Sequence, residues 1–103
     1  EKPVFVPLKR EHFEAFSSGE KCFEYRPEGP RWNRDVCRVG RAVVLSLGYG
    51  KARRLRGRVI AYHASEAAAE RADYLKIYGP GRGPVACIGI ALDPDQATTN
   101  PNP

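Results

Sequence analysis

Methionine is absent from these 103 residues, tryptophan occurs once and cysteine three times. With no methionine, initiator included, the chain reads as starting at a trimmed or processed N-terminus. No stretch approaches the roughly 20 apolar residues that cross a bilayer, so no transmembrane segment is expected. A charged-then-apolar leader is also missing from the start of the chain. Cys22, Cys37 and Cys87 lie far apart with no C-x-x-C pair. That spacing supports neither a disulfide framework nor a zinc knuckle. It predicts reduced thiols, Cys22 among them, packed as small hydrophobes in a cytoplasmic protein. No metal site and no cofactor is expected. His12 has no second ligand at i+4 and reads as a helix-surface residue, and His63 as a structural one. The loop Gly79-Pro80-Gly81-Arg82-Gly83-Pro84 lacks the preceding strand and the following Lys-Ser/Thr of a phosphate-cradling loop.

Acid is scarce in one place. Between Arg31 and Arg58 stand eight arginines and Lys51, with Asp35 as the only carboxylate. Acids gather instead in Glu11–Glu28 and Glu66–Asp73, and the net charge is +5. Such segregation gives one pole a positive field that attracts polyanions. Arginine is favoured over lysine there, and a planar guanidinium grips phosphate bidentately and stacks on bases. A merely basic, well-solvated surface is the competing reading.

What is present suits one modest core: 42% of the residues are hydrophobic. Val4-Phe5-Val6-Pro7-Leu8 reads as a first strand, with Pro7 placing it at an edge or an end. Phe13 and Phe16 then fall at helical spacing within Lys9–Ser18, and Gly19 is placed to stop that helix. The continuous apolar run Ala42–Leu47 predicts a central strand buried on both faces, closed by the turn Gly48-Tyr49-Gly50. Leu55–His63 alternates as a further strand, with Gly57 a candidate bulge. Ser65 is placed to cap a helix over 65–73, Tyr74–Tyr78 carries it into the glycine loop, and Val85–Leu92 is the last strand. Its Ala86, Ile88, Ile90 and Leu92 share a face. The order predicts an α+β domain over 3–93, a small mixed β-barrel of about five to six strands with two flanking helices. Residues 94–103 read as a disordered polar tail.

The stretch Gly19-Glu20-Lys21-Cys22-Phe23-Glu24-Tyr25-Arg26 carries the chemistry. As a strand after a tight turn it puts Cys22, Glu24 and Arg26 on one face and Lys21, Phe23 and Tyr25 on the other. Packing of Phe23 and Tyr25 inward would leave Glu24 and Arg26 lining a surface or cleft, with Lys21 at the turn. A plain ion pair and a small polar site are both open. Trp32, between Arg31 and Arg34, is either a core residue or a stacking platform of the kind single-stranded nucleic-acid binders use.

These residues together resemble the ASCH domain family of the PUA-like superfamily. The stretch from Gly19 to Arg26 is similar to its G-x-K-x-x-E-x-R signature. Leu8-Lys9, Phe13, Phe16, Trp32, Arg34, the Gly-Tyr end of Val44–Gly50, the Gly57 strand and the last strand extend the likeness from Pro3 to Asp93. The resemblance implies a PUA-like pseudo-barrel with a cleft beside the first helix, and binding of RNA or nucleotides in it. Some relatives resemble small amidohydrolases acting on acylated cytidine, and others are linked to RNA cleavage. In the former a lysine works with a threonine three residues on and with an acid from the later helix. Lys21 matches that lysine, Glu24 stands where the threonine would be, and Glu66 or Glu70 is the expected acid.

Three function classes follow. The first is an RNA- or nucleotide-binding module, with Lys9, Lys21, Glu24, Arg26, Trp32, Arg34, Ser46, Tyr49, Lys51, Arg53 and Arg54 as binding candidates. The second is a small hydrolase using Lys21 and Glu24. The third is a protein-interaction module. RNA, another single-stranded nucleic acid or a nucleotide is the expected partner.

Overall fold

Five strands and two helices make up the fold, and the computed structural model describes residues 1–96. In chain order they are β1 (Val4–Leu8), α1 (Arg10–Ser18), β2 (Phe23–Pro27), β3 (Ala42–Leu47), β4 (Arg54–Ser65), α2 (Ala72–Tyr78) and β5 (Val85–Leu92). One mixed sheet holds all five strands in the order β1-β3-β4-β5-β2. Only β1 and β3 run parallel, and the other neighbours are antiparallel. The sheet curls into a half-barrel, so the α+β reading of the sequence holds. Its two edge strands are brought together by one side chain. From β2, Arg26 donates to the Pro7 carbonyl of β1 at 2.6 Å.

The alternation of β1 buries Val4, Val6 and Leu8 and leaves Phe5 and Pro7 half-buried on the outer face. Helix α1 lays Phe13 and Phe16 onto the inner face, against Val43 and Leu45 of β3 and Ile88 and Ile90 of β5. It ends at Gly19, whose φ of 86° is left-handed and whose N–H reaches the Phe16 carbonyl. A second, smaller cluster lies on the other side of β5. There Val85, Cys87, Ala69 and Tyr74 bury against Phe23 and Tyr25 of β2. The strand β5 is thus buried on both faces, which explains its near-continuous apolar run.

Three expectations need correction. Gly57 is not a bulge: it keeps register opposite Leu92, and the irregularity falls between Val59 and Ala61. Gly57 instead permits close approach, since a Cβ there would lie 2.4 Å from the Ala91 carbonyl oxygen. The segment after β4 is not one helix. Ser65 accepts from the Ala68 N–H at 3.0 Å, but it lies one residue before the N-cap, Glu66, of a short 3-10 turn over Ala67–Glu70. Arg71 then turns extended, and α2 begins at Ala72, so Tyr74–Tyr78 is helical. That break lets Ala69 and Tyr74 both reach the second cluster. Cys22, finally, is exposed, whereas Cys37 and Cys87 are buried. Because β2 starts only at Phe23, Cys22 belongs to the turn before it and is not held to the Glu24 face.

The chain stays tied to β4 just past β5. Gln96 accepts the Arg56 N–H through its side chain, within a turn that starts at Asp93. The rest of the expected tail, residues 97–103, lies outside the described residues. No helix among the described residues is long and apolar enough to cross a membrane.

Candidate ligand cleft

A cleft of about 360 Å³ opens between the end of β1, helix α1, strand β2, the β3–β4 turn and helix α2. Its shape follows from the curl of the sheet, which sets both edge strands and the second helix around one hollow. Pro7, Leu8 and Lys9 form one rim, and Gly48 and Tyr49 another. Tyr74, Ile77 and Tyr78 project from one face of α2, at i, i+3 and i+4. Burial pushes the hydroxyls of Tyr25, Tyr74 and Tyr78 above the ordinary tyrosine range, so these walls stay neutral at physiological pH.

At the floor lies Glu24, its side chain only 9% exposed. Its Oε1 is 3.3 Å from the Lys21 Nζ, and its Oε2 accepts from Arg26 Nε at 2.6 Å. Lys21 and Arg26 are themselves largely buried, at 16% and 14%. Strand alternation places Glu24 and Arg26 side by side. Lys21, in the turn before the strand, folds back to the same group. Its ammonium is also 3.2 Å from His12 Nδ1 on α1 and rests over the rings of Phe16 and Tyr25.

A carboxylate offers about four acceptor sites and an ammonium three protons. Among the described residues Glu24 uses one site on each oxygen, and Lys21 faces two partners. The floor therefore keeps acceptor capacity on both Glu24 oxygens and one donor on Lys21 for a ligand. An ammonium can only donate, so in this contact Lys21 is the donor and His12 Nδ1 the acceptor.

A second carboxylate lines the cleft, Asp73 of α2. Burial works against its charged form. Hydrogen bonds from Arg71 and the Tyr74 N–H outweigh that and hold the carboxyl below the ordinary Asp value. Three cations, Lys9, Lys21 and Arg26, and His12 thus share with two carboxylates a hollow otherwise lined by tyrosines, aliphatic side chains and glycine.

Of the candidates read from the sequence, Lys9, Lys21, Glu24, Arg26 and Tyr49 meet in this cleft. Trp32 stands behind it, half-buried against the main core, with the Arg26 guanidinium 4.6 Å from its ring centroid. It backs the Arg26 side chain and does not face the hollow. Arg34 lies over the Tyr62 ring, away from the cleft. Ser46 is fully buried and donates to the Gly50 carbonyl, which pins the turn carrying Tyr49. Lys51, Arg53 and Arg54 are exposed outside the lining. Glu66 and Glu70, the acids expected from the later helix, are exposed and do not line the cleft, whereas Asp73 does.

Sequence reasoning missed His12, Asp73, Tyr74, Ile77 and Tyr78. The 74/77/78 spacing carries a helical signal, but nothing local pairs His12 with a lysine nine residues away. His12 is accordingly not the plain surface residue it was expected to be. His63 is exposed, with its ring edge-on to Phe23. No family model and no characterised protein matches this chain.

Proposed function

We propose that the cleft binds the base of a single-stranded RNA or of a free nucleotide, as the resemblance to the ASCH family implies. One observation carries this reading: a buried carboxylate with unused acceptor sites, set between tyrosine walls and two cations. Glu24 offers acceptors for an exocyclic amine, a group that adenine, cytosine and guanine present. Tyr49, exposed at the rim, offers a face for stacking. Lys9, also exposed, is placed for a phosphate.

Anisotropy titrations of labelled single-stranded RNA and of mononucleotides test this at low and moderate salt. Micromolar or tighter RNA binding is expected, with the logarithm of affinity falling by about 0.7 per phosphate contact for each decade of salt. Uridine-only ligands, which lack an exocyclic amine, should bind weakest. Affinity that is absent, or that ignores salt, would overturn the reading.

A hydrolytic reading is favoured by one specific contact, Lys21 Nζ within reach of both His12 and Glu24. In hydrolysis of an acylated amine on a base, water adds to the acyl carbon as it gives up a proton. The C–N bond then breaks and the departing nitrogen takes a proton. His12 and Lys21 are placed to exchange those protons. Incubation with N4-acylated cytidine, for wild type and Lys21→Ala, measures this. A loss of at least 100-fold in turnover is expected, the lower end of what a positioned acid or base contributes. Persistence of turnover in the variant excludes Lys21 from the reaction.

A further inference from the structure

The six arginines from Arg38 to Arg58 separate into two groups once folded. Arg38 pairs with Glu1, and Arg53 donates to Glu14 at 2.8 Å. Arg41 bonds the Val36 and Lys2 carbonyls. These guanidiniums are occupied by contacts within the fold.

Arg54, Arg56 and Arg58 are different. All three are exposed along the outer face of β4, and none pairs with a carboxylate among the described residues. Arg54 and Arg58 hydrogen-bond the carbonyls of Gly50 and Gly40, while the Arg56 guanidinium has no hydrogen-bond partner among the described residues. Alternate residues of a strand advance about 6.7 Å. That is twice the roughly 3.4 Å axial advance per nucleotide of a stacked strand. Each step of the row therefore spans two nucleotides of a stacked strand, or about one of a strand drawn out to twice that advance.

The row also leads somewhere. Arg54 lies over the ring of Phe5 on β1, at 5.3 Å, and Phe5 sits 6.0 Å from Tyr49. Tyr49 is 80% exposed and lines the cleft. Across the sheet, Phe5, Val44 and Arg56 stand in register, so an apolar floor runs beside the cations. Cations in a line, an open aromatic at their end, and a hollow beyond it suit a flexible polyanion with flat, stackable side groups.

We propose that the outer face of β4 is a track for the backbone of a single-stranded nucleic acid. Its phosphates run along Arg58, Arg56 and Arg54, and a base stacks on Tyr49 as the strand enters the cleft. This rests on the cleft binding a base, and the two claims separate experimentally.

The probes are a single-stranded decanucleotide, its duplex, cytidine monophosphate, and a polyaspartate of equal charge. At 0.1 M salt each phosphate contact contributes about 0.7 log units, or about fivefold. Arg56→Ser should weaken decanucleotide binding about fivefold and lower the salt slope by about 0.7. Arg54→Ser/Arg56→Ser/Arg58→Ser together should cost about 100-fold. Cytidine monophosphate affinity should stay at the wild-type value in Arg56→Ser, since Arg56 does not line the cleft. Should the triple variant fold poorly by circular dichroism, the salt slope of Arg56→Ser alone decides. Decanucleotide binding unchanged in Arg56→Ser, or polyaspartate or duplex binding as tightly as the single strand, overturns the track. A decanucleotide that binds wild type no tighter than cytidine monophosphate overturns it too, with the cleft reading intact. Decanucleotide binding that depends on the arginines without any mononucleotide binding supports the track and removes the cleft reading.

Discussion

Replacing Glu24 with alanine is expected to destabilise the protein by about 3 kcal/mol, a drop of roughly 12–24 °C in melting temperature for a domain of this size. Lys21 and Arg26 are both mostly buried and both directed at the Glu24 carboxylate. Removing it leaves two desolvated cations facing each other with nothing between them. Breaking a buried pair in this way costs about 3–5 kcal/mol, and the open cleft argues for the lower end because water can reach the floor. Against a typical total of about 5–15 kcal/mol, that is a large share. Glu24→Gln keeps the shape and one acceptor oxygen, so it should fall between the two. Both variants should lose nucleotide binding, since the acceptor pair is gone. Thermal melts of the three proteins measure the first effect, and titration with a mononucleotide the second. A loss under about 1 kcal/mol for Glu24→Ala would mean that the three charges behave as an exposed pair does.

Gly57→Ala should match or exceed that loss without touching the cleft. The added methyl would stand 2.4 Å from the Ala91 carbonyl oxygen, a main-chain atom of the adjoining strand β5. Main chain in a paired strand cannot swing away as a flexible side chain would, so the clash must separate β4 from β5 locally. Overpacking costs about 1–3 kcal/mol when side chains can adjust and sometimes more, and here the upper end applies. Gly50→Ala is the matched control, because nothing lies within 4 Å of a Cβ at that turn. It should change stability by no more than about 0.5 kcal/mol. Denaturant midpoints with unchanged slopes report both. Equal midpoints for the two variants would remove the close-approach account of Gly57.

Much of the framework was readable from periodicity alone. Phe13 and Phe16 at helical spacing, with Gly19 behind them, mark α1 because a helix has one buried stripe and needs a left-handed stop. The alternation in β1 and the apolar runs of β3 and β5 mark strands for the same reason, since burial leaves a period in the chain. Failures came where two demands competed. Residues 65–78 have the composition of one helix, yet Ala69 and Tyr74 must reach the same small cluster, so the backbone breaks at Arg71. Gly57 reads as a bulge in one dimension because the neighbour that requires it, Ala91, is 34 residues away.

The signature stretch divides in the same manner. Its residues alone established that a lysine, a glutamate and an arginine lie within six positions, and strand alternation put Glu24 beside Arg26. That the three form one group, with Lys21 folded back from the turn and His12 behind it, depends on how α1 packs over β2. The hollow above them exists only because the sheet curls until Arg26 reaches Pro7 on the opposite edge strand. Sequence likewise set the count of arginines between Arg31 and Arg58, a matter of composition. Which of them the fold holds and which it leaves facing water was decided by the tertiary structure, because a guanidinium is occupied or free only according to what other chain segments bring within its reach.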